Sequence, residues 1–447
     1  MSKKFNRFVC NNCGYVSSAW SGRCPNCNEW NSLVEDLLVT NLEANMAQGK
    51  PITGQSVKAS LSTDQNQRLK CHISDIDEVL GGGIVAGSVN LIAGQPGIGK
   101  STLLLQLADA IAGSFRVLYV SAEESAHQVS LRAHRLKSLG NKLQIATSTS
   151  ADDITATIAS KQFDLIIIDS IQAISCQAVS AATGSISQIV NAASMLSQAA
   201  KLSNTAIIIV GHVTKEGSIA GPKVLEHSVD VVLELSGDRY GGFKLLRAVK
   251  NRFGSTSEAG IFEMSEAGLL PVDNPSAALL AERRDSDGSI VLATLEGTRP
   301  LLVEVQALVN KSSYGYPKRA ASGFSISRLN LLVAMLEKRT KLSLADQDIY
   351  INIVGGIDVS DPAADLAVCL AIGSAAKGLK LGVKAAVFGE IGLSGEVRRV
   401  PFVEKRLKEA KKLGFNTCIG PSYAKAMTGL KSVDDVRSAL NHYLEKA

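Results

Sequence analysis

Short runs of aliphatic residues, Val89 to Ala93, Val117 to Val120, Leu165 to Ile168, Ala206 to Val210 and Val231 to Leu235, alternate with segments of helical period. Consecutive apolar positions suit strands covered on both faces, so the alternation predicts an α/β core with a mainly parallel sheet. Leu103, Leu104, Leu107 and Ile111 recur at helical spacing after the first run, which predicts an amphipathic helix from Lys100 onward. The pattern breaks around Pro271 to Pro275. Beyond it, a helical stretch from Ser327 to Arg339 and a strand near Ala385 to Phe388 predict a separate α+β domain.

Upstream of the core, residues 36–67 are rich in Asn, Gln, Ser, Thr and Gly without sustained periodicity, the composition of a linker. The expected organisation is therefore a cysteine-rich head at 1–35, a linker at 36–67, an α/β core at 68–272 and a C-terminal domain at 273–447.

Composition narrows the function classes. With 45% hydrophobic and 20% charged residues, the 447-residue chain can fill packed cores, which excludes a mainly disordered protein. Its 47 Lys and Arg against 42 Asp and Glu give a net +5, so any nucleic-acid surface must be a local patch. No apolar stretch approaches the ~18 residues of a membrane span, and the start Met1-Ser2-Lys3-Lys4 lacks an apolar signal core. The expectation is a cytoplasmic protein with no membrane partner.

Four of the eight cysteines fall in the first 27 residues. Cys10 and Cys13 form one C-x2-C pair and Cys24 and Cys27 another, spacings that turn four thiolates toward one zinc ion and leave no position for water. The expected site is structural. Cys71, Cys176, Cys369 and Cys418 are scattered singly and read as buried thiols. Trp20 and Trp30, the chain's two tryptophans, both lie in the head. Beside the basic residues Lys3, Lys4, Arg7 and Arg23 they could stack on single-stranded nucleic acid. The favoured reading is that so small a module uses them to cover its metal core.

Gly94-Gln95-Pro96-Gly97-Ile98-Gly99-Lys100-Ser101 matches G-x-x-x-x-G-K-S between a predicted strand and a predicted helix. Such a loop wraps phosphates with backbone amides at a helix N-terminus, and Thr102 continues the nucleotide-binding segment. Lys100 is expected to meet the β and γ phosphates of ATP and the Ser101 hydroxyl to hold magnesium. Asp169 ends an apolar strand at the edge where open α/β sheets place ligands, and it is the expected magnesium-side acid.

Glu123 and Glu124 follow another strand, so at least one carboxylate could orient the attacking water, or the pair could be a solvated helix start. His212 ends a strand at the same sheet edge, where a γ-phosphate sensor is plausible. The stretch Thr214 to Glu226, with Lys215 and Lys223, is a solvated loop or a contact to nucleic-acid phosphates.

The cysteine pairs, the phosphate loop and Lys250-Asn251-Arg252-Phe253-Gly254, followed by a further domain, together resemble the bacterial RadA (Sms) family of DNA-repair and recombination proteins along essentially the whole chain. The resemblance implies a RecA-like ATPase core, a homo-hexameric ring and a C-terminal domain similar to that of Lon proteases. It implies that Glu123 is the catalytic glutamate, that His212 senses nucleotide, and that Lys250 and Arg252 reach a neighbour's nucleotide. Segments following Ile174 and His212 are implied to face DNA.

The protease chemistry departs from the pattern. Ala363 stands where the nucleophilic serine would fall and Glu404 where its lysine would, so proteolysis lacks both groups. Tyr314-Gly315-Tyr316-Pro317-Lys318-Arg319, with Arg328, suits a nucleic-acid groove, or a solvated loop. The functional expectation is a DNA-dependent ATPase in repair and recombination. It would act as a motor on single-stranded and branched DNA, with a recombinase or replication partner for the zinc head. The alternatives are an ATP-gated DNA-binding scaffold and, weakened by the missing pair, an ATP-dependent protease.

Overall fold

The computed structural model describes residues 8–10, 15–35, 68–212, 225–237, 242–313 and 316–446. The predicted linker at 36–67, Cys13, most of the loop following His212, and Tyr314 and Gly315 lie outside the described residues. The chain divides into two compact units, Met1–Asn66 and Gln67–Ala447.

In the first unit, β1 (Phe8–Cys10) pairs antiparallel with β2 (Val16–Ser17) and with β3 (Leu33–Glu35). A tight turn brings the Cys24 amide to the Glu29 carbonyl at 2.9 Å and the Asn28 amide to the Cys24 carbonyl at 2.9 Å, with Asn28 in the left-handed region. Cys24 and Leu33 are buried, with Phe8 and Cys27 packed against them.

The two tryptophans correct the expectation of a covered core. Trp20 is 58% and Trp30 69% exposed, because Leu33, Phe8, Cys24 and Cys27 already fill the interior. The rings instead flank Gly22, where a Cβ would lie 3.8 Å from Trp30 and 3.9 Å from Trp20. Trp20 Nε1 donates to the Leu33 carbonyl at 3.1 Å, and the Arg23 guanidinium lies 5.6 Å from the Trp30 ring centre.

The second unit opens with the hairpin partners β4 (Arg68–Leu69) and β5 (Ile84–Val85), separated by α1 (Ser74–Val79). The core then runs β6 (Val89–Gly94), α2 (Lys100–Ala112), β7 (Val117–Ser121), α3 (Ala126–Arg135), β8 (Leu143–Thr147), α4 (Ala151–Ala159), β9 (Leu165–Asp169), α5 (Ile186–Ser203) and β10 (Ala206–His212). Strands β11 (Val231–Gly237), β12 (Phe243–Asn251), β13 (Ala259–Ser265) and β14 (Gly268–Pro271) complete a nine-stranded sheet of order β14-β13-β12-β11-β6-β10-β9-β7-β8.

Neighbours from β11 to β8 are parallel, while β12, β13 and β14 extend the sheet antiparallel. Alternate residues feed two cores, one on each face. Leu103, Leu104, Leu107 and Ile111 of α2 are buried on one side, while α4 and α5 cover the other. This arrangement collects the carboxyl ends of β6, β7, β9 and β10 along one edge.

After α6 (Pro275–Leu280), strands β15 (Ser289–Glu296), β16 (Arg299–Lys311), β17 (Arg319–Ser322) and β18 (Gln347–Ile353) belong to a second sheet, with α7 (Ile326–Thr340) between β17 and β18. Helix α8 (Ala364–Lys377) and the short strand β19 (Leu379–Leu381) precede β20 (Ala385–Val387). The hairpin β21 (Glu390–Ile391) and β22 (Val397–Arg398), α9 (Val403–Lys412), β23 (Thr417–Gly420), β24 (Leu430–Ser432) and α10 (Val436–Tyr443) follow.

The order of the second sheet is β17-β18-β16-β15-β20-β23-β24. Every residue of α8 from Ala364 to Ser374 is buried, as expected of a helix apolar on all sides at the centre of a core. Arg299 Nη1 of β16 meets Asp75 of α1 at 2.5 Å, and Arg247 Nη1 of β12 meets Glu296 of β15 at 3.3 Å, an ion pair that joins the two sheets. Among the described residues, no helix is long and apolar enough to cross a membrane.

Candidate nucleotide site

The loop after β6 needs its glycines. Gly97 and Gly99 adopt φ of +79° and +114°, and a Cβ on Gly94 would lie 2.5 Å from the Leu235 carbonyl oxygen. Gly99 caps α2, so the amides of the first turn open toward the loop. Lys100 is folded back onto that loop, its Nζ donating to the Gly94 carbonyl at 2.9 Å and to the Gln95 carbonyl at 3.0 Å. Burial pushes the Lys100 ammonium down to about 8, with the charges of Asp169 and Glu123 pulling it back up.

Asp169 stands at the end of β9 directly opposite Ser121 of β7. Its Oδ2 accepts a 2.5 Å hydrogen bond from the hydroxyl of Tyr119, and the Ser101 side chain lies near the same phenol. The two residues expected on the metal side thus share a buried neighbour. Their chemistry, a hydroxyl and a carboxylate at a helix start, fits the oxygen-ligand preference of magnesium.

The glutamates separate cleanly. Ser121 Oγ closes the turn by accepting from the Glu124 amide at 3.0 Å and donating to its carbonyl at 2.7 Å, and Ser125 then caps α3 with a reciprocal Gln128 capping box. Glu124 is turned to Arg132 of α3 at 2.5 Å. Glu123 turns to the sheet edge, where its Oε1 accepts from the Ser170 hydroxyl and lies 3.5 Å from His212 Nε2. His212 Nδ1 is buried without a hydrogen-bond partner among the described residues.

Lys250 and Arg252 lie near the far end of β12. Lys250 Nζ donates to the carbonyls of Glu226 at 2.5 Å and Val229 at 2.8 Å, and Arg252 Nη1 pairs with Asp230 at 3.1 Å. Asp230 also accepts from the Val89 amide at 3.1 Å, tying this basic segment to the strand that leads into the phosphate loop. The edge therefore gathers Lys100, Ser101, Glu123, Asp169 and His212, while Lys250 and Arg252 stay with Asp230 and the segment after residue 224.

Sequence reasoning missed Tyr119, Ser170 and Asp230. Their signal is weak along the chain, since each is one polar group beside or within an apolar run.

In the C-terminal domain Ala363 is buried and Glu404 exposed. Beside Ala363 lies an ion pair, with the Thr294 hydroxyl donating to its carboxylate at 3.2 Å. Asp361 Oδ2 meets the fully buried Arg406 at 2.8 Å and accepts from the Leu295 amide at 3.0 Å, and its Oδ1 accepts from the Ala363 amide at 3.0 Å. Arg328 corrects a second expectation. Its guanidinium is committed to the buried Asp365 through Nε at 3.0 Å and through Nη2, and Nη2 also donates to the Ile391 carbonyl at 3.1 Å. It is a structural cation, unlike the 87% exposed Tyr316.

A phosphate loop on a parallel sheet, with a carboxylate ending a nearby strand and a glutamate turned to the same edge, defines a RecA-like P-loop ATPase. Residues 55–218 match the AAA domain family model, and residues 8–35 match the rubredoxin metal binding domain model.

Curated relatives run nearly the length of the chain. DNA repair protein RadA from Listeria monocytogenes is 45% identical over 94% of this chain and 93% of its own. Its counterpart from Bacillus subtilis is 45% identical over the same shares, and that from Streptococcus pyogenes serotype M6 is 46% identical over 95% and 94%. The chain belongs to the RadA family of DNA repair proteins. Two solved structures align with less than half of it. The flagellar accessory protein FlaH from Methanocaldococcus jannaschii shares 20% identity over 46% of this chain and 98% of its own, with a TM-score of 0.37. The RadB recombinase shares 21% over 46% and 100%, with a TM-score of 0.38.

Proposed function

We propose that this protein is a DNA-dependent ATPase of repair and recombination that works as a ring-shaped motor on single-stranded DNA and promotes branch migration. The observation that carries the reading is the convergence of Lys100, Ser101, Glu123, Asp169 and His212 on one sheet edge, in a chain of the RadA family. Residues 68–272 would form the ATPase domain and 273–447 a Lon-like platform without peptidase chemistry. The head at 1–35 would hold zinc on Cys10, Cys13, Cys24 and Cys27 and carry a partner-binding role, with 36–67 as linker.

In this mechanism the backbone amides from Gly94 to Thr102 take the phosphates of ATP, and Lys100 leaves the Gly94 and Gln95 carbonyls to meet the β and γ phosphates. Ser101 and Asp169 would hold magnesium, which supplies charge neutralisation between the phosphates. Glu123 orients the attacking water, and its contacts with Ser170 and His212 hold the carboxylate at the edge before water arrives. Lys250 and Arg252 reach a neighbouring subunit's γ phosphate after leaving their own-chain partners.

A second reading keeps the ATPase and drops the motor. Charge in the C-terminal domain, with Lys311, Lys318 and Arg319 close along the chain to Tyr316, also suits a nucleotide-gated DNA scaffold. ATP turnover measured with single-stranded, duplex and branched DNA at several salt concentrations tests DNA dependence, and directional unwinding of a tailed duplex separates the two readings. Turnover indifferent to every DNA would sink both.

A further inference from the structure

We propose that Tyr119 is a positioning residue that fixes the orientation of the Asp169 carboxylate toward the nucleotide's magnesium. The inference rests on reading the Gly94 to Ser101 loop as the ATP site.

Tyr119 lies in the middle of β7 and is 1% exposed, packed in the cluster that contains Leu103, Leu107 and Val129. A phenol in such surroundings is costly unless its hydroxyl is partnered. Here the hydroxyl donates to Asp169 Oδ2 at 2.5 Å. The register explains the reach: Tyr119 stands opposite Ile167, two residues before the carboxylate, so the ring extends along the neighbouring strand to its end.

The direction of this hydrogen bond matters. A carboxylate oxygen accepts, so the phenol is the donor and holds one oxygen of Asp169 inward. Asp169 Oδ1 is left for the metal. Phenylalanine at 119 would fill nearly the same volume, yet it would leave Asp169 Oδ2 without its donor.

The test compares wild type with Tyr119→Phe, using a non-hydrolysable fluorescent ATP analogue titrated with magnesium, and the same analogue in EDTA. Manganese bound to the protein and analogue is counted by electron paramagnetic resonance. Loss of a group that orients metal ligands typically lowers metal affinity about 10-fold or more, so the half-saturating magnesium concentration should rise by that factor, with manganese retention falling in parallel. Binding in EDTA should be unchanged.

Equal magnesium dependence in the two proteins overturns the proposal. So does a loss of equal size with and without metal, since that is the mark of a merely structural residue. If Tyr119→Phe does not fold, Tyr119→Met, which also keeps apolar volume, is judged by the same pair of titrations. Wild type that binds the analogue neither with magnesium nor in EDTA would overturn the ATP-site reading itself, a failure distinguishable from the others.

Discussion

His212 Nε2 lies 3.5 Å from Glu123 Oε1, which joins the end of β10 to the turn after β7 across the site's edge. Glu124, the adjacent carboxylate, is instead paired with Arg132 at 2.5 Å. Neighbours in sequence thus have different work. Glu123→Gln should bind ATP and slow its hydrolysis by about 10² to 10⁴, the usual range for a general base, while Glu124→Gln turns over near the wild-type rate. Single-turnover hydrolysis beside equilibrium binding checks this. Equal slowing in both variants would remove Glu123 from its proposed role.

Lys100 gives a pH signature. Burial lowers its free-state value to about 8, and the phosphates of ATP raise it again by adding negative charge. Below that value the ammonium is already protonated and binding needs no proton. At and above it, binding takes up a proton, so affinity falls as pH rises. Calorimetry at pH 8 in buffers of different ionisation enthalpy should show proton uptake in wild type and none for this group in Lys100→Ala, which should also lose turnover. Heats that are independent of buffer in the wild type count against the shifted lysine.

The zinc assignment extends across residues of which the structure describes only some. Cys24 and Cys27 sit on the turn closed by Glu29 and Asn28, and Cys10 ends β1. One tightly held zinc per chain is expected, with Cys10→Ser plus Cys13→Ser releasing it, because a closed four-thiolate shell cannot survive on two ligands. Metal analysis of the purified full chain decides it; unchanged zinc in the double variant would falsify the assignment.

Peptidase activity should be absent even while ATP is being turned over. The ion pair of Asp361 with the fully buried Arg406 lies beside Ala363, which has no hydroxyl to attack a carbonyl, and the nearby Thr294 hydroxyl donates to Asp361 at 3.2 Å. Unfolded casein incubated with protein, ATP and DNA should remain intact. Degradation that persists through purification and disappears on Lys100→Ala would revive an ATP-dependent protease.

The legibility of these features followed their range along the chain. The phosphate loop could be read because strand, glycines and helix are contiguous, and Asp169 because it ends an apolar strand. Five core strands, β6, β7, β9, β10 and β11, could be read at nearly their observed limits, although β10 continues through Gly211 to His212, while β8 and the antiparallel β12, β13 and β14 could not. Tyr119 could not be read as a partner of Asp169, since that contact depends on which strand lies beside β9 and in what register. Arg328 was misread for a related reason. Its partner Asp365 is 37 positions away, and a cation looks available in sequence until its counter-ion is placed. Trp20 and Trp30 were misread because size alone does not tell whether a small ribbon fills its interior with other residues.

Lys250 and Arg252 provide the prediction that reaches beyond one chain. Lys250 donates to the Glu226 and Val229 carbonyls and Arg252 pairs with Asp230, so both cations are held by their own subunit in the structure described here. Release toward a neighbour's γ phosphate would add positive charge where charge develops in phosphoryl transfer, a contribution worth about 10³ to 10⁵ in rate where such fingers act. The rival account is that the segment meets DNA phosphates and affects hydrolysis indirectly. Subunit mixing distinguishes them. A Lys100→Ala chain keeps its cations, and a Lys250→Ala, Arg252→Ala chain keeps its phosphate loop, so a mixed ring can pair an intact loop with intact cations. DNA-stimulated ATP turnover should reappear on mixing and peak at intermediate ratios. If the two inactive chains exchange subunits and recover no turnover at any ratio, the cations do not act between subunits.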